Sequence, residues 1–225
     1  MKSKFLLPLL IGSALLSSCS QKFSADQKAK LSTLTLSPVV QVEKAYQDPR
    51  GAADGTMNNV AVATGGGLIG ALIGAGTEAV QNNSFKKAEG ANFARLRAIS
   101  PKSVSSQVGS EVQKALKANP FTSSRLRPQS DNKVVTKINR YSLTRVGKRP
   151  DGRLLMSPQI SAQVEIQGAD GKSIGNWPFV TGVSSRAKTV GEWVNSPADL
   201  KRGYQEAATS VGQNFAANLA AKTAE

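Results

Sequence analysis

Two kinds of side chain in this 225-residue sequence could do distinctive chemistry: the thiol of Cys19 and a scatter of carboxylates. A single cysteine allows no internal disulfide and no multi-cysteine zinc or iron-sulfur framework. Histidine is absent altogether, so there is no Ser-His-Asp triad and no imidazole base, and the commonest metal ligand is missing. Glu165, Asp170, Glu192 and Asp199 could in principle supply a carboxylate pair for glycoside hydrolysis. Nothing in the pattern pairs them, because Glu165 alternates outward on a strand, Asp170 sits in a turn and Asp199 opens a helix. Lys102 next to Ser103 is not evidence of a Ser-Lys nucleophile held in a pocket. No catalytic and no metal-ligating residue is assigned, and the chain is expected not to be an enzyme.

The surroundings of Cys19 give an address. Lys2 and Lys4 form a short positive region, residues 5–16 are an apolar run too short for a stable membrane span, and small residues follow. Leu16-Ser17-Ser18-Cys19 resembles the lipobox of bacterial lipoproteins. The resemblance implies cleavage between Ser18 and Cys19 and a covalent lipid on Cys19, with no other cofactor. Several acyl chains on one residue meet the requirement that stable anchoring takes more than one chain. Among Gram-negative lipoproteins the residue after the cysteine helps decide sorting, and Ser20 is not the Asp linked to inner-membrane retention. The resemblance therefore implies a lipid-anchored protein of the cell outer membrane, on its periplasmic side.

The charge of the exported chain points the same way. Without residues 1–18, and so without Lys2 and Lys4, it keeps 27 basic against 15 acidic side chains, a net +12. Export removes nucleic acid as a partner and leaves anionic lipid, lipopolysaccharide phosphates and cell-wall carboxylates. Residues 114–153 carry eleven basic residues against Asp131 and Asp151. Within them Arg140, Arg145, Lys148, Arg149 and Arg153 could dock on an anionic surface, or could simply be a solvated face.

Residues 60–77 (VAVATGGGLIGALIGAGT) hold no charge, and Gly66, Gly70 and Gly74 recur at every fourth position. On a helix these three share one face, which another backbone can approach closely. The pattern resembles the glycine zippers of envelope proteins. Three readings stay open: a helix against its own fold or the membrane surface, self-association or partner packing through the glycine face, and a membrane span, for which glycine lowers both hydrophobicity and helix propensity. A phosphate-binding loop is excluded because no Gly-Lys-Ser/Thr follows.

The elements that would position these residues are legible in their periods. Residues 20–30 are polar and aperiodic, which predicts a tether. Residues 33–46 predict a bent or edge strand broken at Pro38. Ser84 could cap a helix through Phe93, Leu96 and Ile99, with Gly90 its weak point. Val104, Val108, Val112 and Leu116 form one helical stripe ending at Asn119 before Pro120. From residue 132 the period is two, predicting strands at 134–146, 154–167 and from Trp177 to Val183, with Asp170-Gly171 as a hairpin turn. Ser196-Pro197-Ala198-Asp199 opens a long helix whose stripe is Leu200, Tyr204, Ala208, Val211, Phe215 and Leu219.

The predicted architecture is α+β: an antiparallel sheet, made of the N-terminal strand plus a three-stranded meander, packed by helices that include a long C-terminal one. The divisions are a signal peptide at 1–18, a lipidated tether at 19–30, and one periplasmic domain at 31–225 containing the Gly-rich segment 60–80. From about residue 103 the pattern is similar to envelope lipoproteins of the YajG and CsgG-like kind, most plainly at Val164-Glu165-Ile166-Gln167-Gly168-Ala169-Asp170-Gly171-Lys172. That resemblance implies a binding or assembly protein without an active site. The expected function is a non-catalytic outer-membrane lipoprotein whose domain binds or organises another envelope component. The alternative is a membrane-associated oligomer or channel component assembled through Gly66, Gly70 and Gly74.

Overall fold

Valines four residues apart bury one side of a helix, and alternating apolar residues bury one face of a strand. Both patterns end in the same core. A computed structural model describes residues 22–41, 46 and 90–224. In chain order these form α1 (Ala25–Lys30), β1 (Thr35–Leu36), β2 (Val40–Gln41), a helix α2 over residues 90–99, α3 (Val104–Ala118), α4 (Pro120–Ser123), β3 (Lys133–Lys148), β4 (Leu154–Gln167), β5 (Ser173–Val183), α5 (Val190–Val194) and α6 (Pro197–Thr223). The segment holding Gly66, Gly70, Gly74 and Ser84 lies outside the described residues, as do Ser18, Cys19 and Ser20.

β3, β4 and β5 are an antiparallel meander, with Lys133 opposite Gln167 at one end and Lys148 opposite Leu154 at the other. The N-terminal strand runs along the outer edge of β3 in two pieces, and both pair with it in parallel. The sheet is therefore mixed where the sequence suggested antiparallel pairing throughout. Its break at Pro38 has the expected cause, since proline has no N–H to donate to the ladder. The Asp170-Gly171 turn forms as expected, with Gly171 at a φ of 73° that favours glycine.

Both long helices pack on one face of the sheet. Val104, Val108, Val112 and Leu116 of α3, and Leu200, Tyr204, Ala208, Val211, Phe215 and Leu219 of α6, are all buried in one core with Ile160, Ala162, Val164 and Ile166 of β4; α6 lies on β4 and β5, and α3 packs chiefly on α6. Burying each large aliphatic or aromatic side chain stabilises by about 1.5–3 kcal/mol before entropy is counted. Close approach makes this tight. A Cβ on Gly182 of β5 would stand 2.1 Å from the Ala207 carbonyl oxygen, so α6 can lie this near the sheet only because residue 182 has no side chain. The opposite face carries Lys137, Gln163 and Glu165, with Phe179 of β5 63% exposed.

Residues 22–30, read from the sequence as tether, are folded. Phe23 is buried and α1 begins with a reciprocal capping box between Ser24 and Gln27. The Phe23 ring contacts Trp177 edge-on at 6.1 Å and Phe121 at 6.4 Å, while its N–H donates to the Lys222 carbonyl at 3.0 Å. The polarity of the stretch is genuine, but one aromatic ring and one cap suffice to pin it. α5 has no counterpart in the sequence pattern either; it is a five-residue helix, too short for periodicity to register.

Candidate functional site

The tip of the β3–β4 hairpin carries four of the five basic residues singled out above. Arg149, just past β3, donates through Nη2 to both carboxylate oxygens of Glu192, at 2.7 and 2.8 Å. Arg153 donates through Nε to Asp151 at 2.7 Å. Arg145 and Lys148 are exposed at the same end. Arg140 lies further back on β3 next to the irregularity between Ile138 and Arg140, half-buried, and desolvation pulls its guanidinium pKa down. The five residues therefore do not form one continuous cationic patch, and two of them face carboxylates.

Beside that hairpin, the loop between β5 and α5 forms further charge pairs with α6. Lys188 Nζ donates to Asp199, and Arg186 Nε donates to Glu206. Glu206 also accepts from the Ser184 hydroxyl at 2.7 Å and the Ser185 hydroxyl at 3.2 Å. Burial works to raise the Glu206 pKa, but the hydrogen bonds from Ser184 and Arg186 outweigh it and the net shift is downward. Glu192 is lowered chiefly by the Thr189 N–H, and Asp199 chiefly by Lys188. Two open grooves flank these pairs. The first, a cavity of about 390 Å³, runs between Arg149, Lys188, Glu192 and Asn195; the second, about 460 Å³, runs between Val183, Arg186, Arg202, Glu206 and Gln213.

Each carboxylate considered for catalysis has a structural partner. Glu165 accepts from Gln167 Nε2 at 3.1 Å, and Asp170 accepts the Lys172 N–H across its turn at 3.0 Å. Glu192 and Asp199 hold the ion pairs above. For Glu192 and Asp199 the cations and N–H groups lower the pKa, the reverse of a raised-pKa general acid. Among the described residues no group of three His, Cys, Asp or Glu side chains could hold a metal, and no helix is long and apolar enough to cross a membrane.

The sequence reading missed the cluster at the other end of the sheet: Phe23, Phe121, Trp177, Phe215 and Lys222. Trp177 stacks edge-on against Phe215 at 5.1 Å, and the Lys222 ammonium lies 4.9 Å from the Trp177 ring centre. Burial lowers the Lys222 pKa. The available signal was Ser24-x-x-Gln27, a capping-box spacing directly after an aromatic residue.

No family model matches the chain, and no curated protein is detectably similar to it. Among solved structures it is similar in part to a minor lipoprotein from Acinetobacter baumannii, at 12% identity and a TM-score of 0.38 over 51% of this chain and 82% of that one. A protein from Caulobacter crescentus described as a lipoprotein aligns at 12% identity and a TM-score of 0.33, over 58% of this chain and 96% of its own. A DUF330 family protein from Xanthomonas campestris aligns at 15% identity and a TM-score of 0.35, over 85% of this chain and 88% of its own. Likenesses of this size establish neither a shared family nor a shared fold.

Proposed function

We propose that the chain is a lipid-anchored envelope lipoprotein of the outer membrane, facing the periplasm, whose α+β domain binds or organises another envelope component without catalysing a reaction. The observation that carries this reading is the position of Leu16-Ser17-Ser18-Cys19: it follows a charged and apolar leader and stands four residues ahead of Phe23, the first buried residue among those described. The commitment of Glu165, Asp170, Glu192 and Asp199 to structural partners supports a non-catalytic role. Ser20 supports outer-membrane sorting in an organism with two membranes.

The test is expression of the full chain in such an organism with labelled palmitate, beside Cys19→Ala. The parent should take up label, lose residues 1–18 and float with outer-membrane fractions, while Cys19→Ala should be unlabelled and released from the membrane. A parent protein with a free Cys19 thiol, or with residues 1–18 still attached, would defeat the proposal.

A second reading rests on the uncharged run at residues 60–77 with its glycines at every fourth position. Copies packed through Gly66, Gly70 and Gly74 would form a membrane-associated oligomer or channel component. Light scattering of the acylated protein in detergent, beside Gly70→Leu, tests it. An oligomer that the substitution dissolves supports this reading, and a monomer indifferent to it excludes the glycine face as an interface.

A further inference from the structure

The burial of Phe23 limits how far the domain can stand from its anchor. Three residues separate Phe23 from Cys19, and even fully extended the four steps between them span only about 14 Å. The end of the domain that receives the anchor is also well defined. Phe23 is bonded to Lys222 at the last turn of α6, Gln27 Nε2 donates to the Ile174 carbonyl at 2.8 Å, and Asn132 Nδ2 donates to the Lys30 carbonyl at 2.8 Å. Asn119 Nδ2 reaches Thr223 at 3.0 Å, and Leu34 exchanges backbone hydrogen bonds with Arg125 and Arg127. α1, α4, the β4–β5 turn, the entry to β3 and the end of α6 thus form one surface.

That surface is basic. The segments that build it, residues 22–34, 119–133, 168–176 and 219–224, contain eight Lys and Arg against Asp26, Asp131 and Asp170. Lys30, Arg127 and Lys133 are exposed on it. The β3–β4 hairpin tip lies at the far end, because β3 runs sixteen residues from Lys133 to Lys148, a length of about 50 Å at strand rise. Charges at the tip are several screening lengths from anything the Phe23 end touches, since physiological salt screens over about 8 Å.

We propose, resting on the lipid anchor inferred above, that the Phe23 end is the membrane-facing surface of the domain, with Lys30, Arg127 and Lys133 on anionic phospholipid headgroups and the β3–β4 hairpin pointing away from the bilayer. The short link holds this basic end within reach of the headgroups, where each cation adds electrostatic attraction that a longer tether would dilute. The groove beside α5, between Arg149, Lys188, Glu192 and Asn195, then lies at the outward end, from which another envelope component would arrive.

Energy transfer from the protein to the bilayer tests this. The acylated full chain, with a fluorescent residue in place of either Ser32 or Pro150, is reconstituted into phosphatidylcholine vesicles with or without phosphatidylglycerol, with acceptors on the headgroups. With phosphatidylglycerol, transfer from position 32 should exceed that from position 150 several-fold, matching a height difference of about 50 Å. Lys30→Glu combined with Arg127→Glu and Lys133→Glu, or raised salt on the parent chain, should cut transfer at 32 to its level on phosphatidylcholine alone. Arg145→Glu with Lys148→Glu should leave it unchanged. Equal transfer from both positions means a domain lying flat and overturns the orientation, as does stronger transfer from 150. Transfer at 32 that ignores both salt and charge reversal overturns the headgroup contact. The mass of the purified protein keeps the two readings apart: an unacylated Cys19 defeats the anchor itself, whereas any of the other failures on acylated protein defeats only the docking surface.

Discussion

The ring of Phe23 lies in the space that a side chain at position 175 would need. A Cβ on Gly175 would stand 2.8 Å from Phe23 Cε1 and 2.9 Å from Cζ. The strand offers a gap on its core side, and a residue some 150 positions earlier in the chain fills it. This contact makes residues 22–30 part of the fold rather than a leash.

Phe23→Ala should cost about 3 kcal/mol, as for other buried aromatics. Gly175→Ala should cost about 1–3 kcal/mol by forcing the ring to shift. With the ring gone, a methyl group at position 175 is left only an ordinary contact with Trp177 at 3.5 Å, so the double variant should be no less stable than Phe23→Ala alone. Urea midpoints of the four proteins measure this; strict additivity would show that the two residues do not share the space.

Gly182 has a harder neighbour. Its Cβ would meet the Ala207 carbonyl at 2.1 Å and the Val211 nitrogen at 2.5 Å, both backbone atoms of α6 that cannot rotate aside. Gly182→Ala should therefore destabilise by about 3 kcal/mol or more as α6 is pushed off the sheet. Gly90, with nothing within 4 Å of a Cβ, is the control. Gly90→Ala in α2 should be neutral or stabilising by up to about 1 kcal/mol. Thermal unfolding of both variants decides it.

Glu192 does two jobs where Arg149 does one. Its carboxylate accepts from Arg149 and from the Thr189 N–H at 2.9 Å, closing the capping box of α5. Arg149→Ala removes only a half-exposed pair, worth about 0–1 kcal/mol. Glu192→Ala should lose that pair plus the cap, about 1 kcal/mol more. Equal losses in denaturant midpoint would mean that the cap contributes nothing.

Acid should loosen the α5 end first. Glu192, Asp199 and Glu206 all titrate below their ordinary values in the folded protein. A depressed folded pKa adds stability above the unfolded pKa and loses it as pH falls through the folded one. The unfolding midpoint should stay level from neutral pH to about 5 and drop below about 4. Replacing all three by Gln or Asn should lower the plateau and flatten the drop; an unchanged slope in the triple variant would refute the assignment.

Tyr204 sets the alkaline limit. Burial, followed by the nearby Tyr46 and Tyr141 rings, pushes its phenol well above the usual value. A raised folded pKa means stability that is present below the unfolded value, about 10, and lost as pH rises beyond it. The Tyr204 hydroxyl makes no hydrogen bond of normal geometry among the described residues, although the Ser100 hydroxyl, which donates to the Leu96 carbonyl at 2.8 Å, lies near enough to oppose the rise slightly. Tyr204→Phe should then be neutral or slightly stabilising at pH 7 and should reduce the alkaline loss. A cost above about 2 kcal/mol at neutral pH would reveal a hydrogen bond to that oxygen.

The Val104-to-Leu116 stripe, the limits of β4 and the Leu200-to-Leu219 face of α6 were all legible in the residues, because each is a local period that backbone geometry imposes wherever a face is buried. The lipobox-like run Leu16-Ser17-Ser18-Cys19 is local in the same way, being four consecutive residues after a charged and apolar stretch. What could not be read was anything joining distant segments. The parallel pairing of Thr35 with Lys133, the Arg149–Glu192 pair across 43 positions and the seat of Phe23 against Gly175 all depend on which surfaces the fold brings together. The basic residues show the difference most clearly. Their number was plain from the sequence, but a charge acts over only about 8 Å in physiological salt, so tertiary packing alone decided that Arg149 faces Glu192 at one end of the sheet while Lys30, Arg127 and Lys133 share the end where Phe23 is buried.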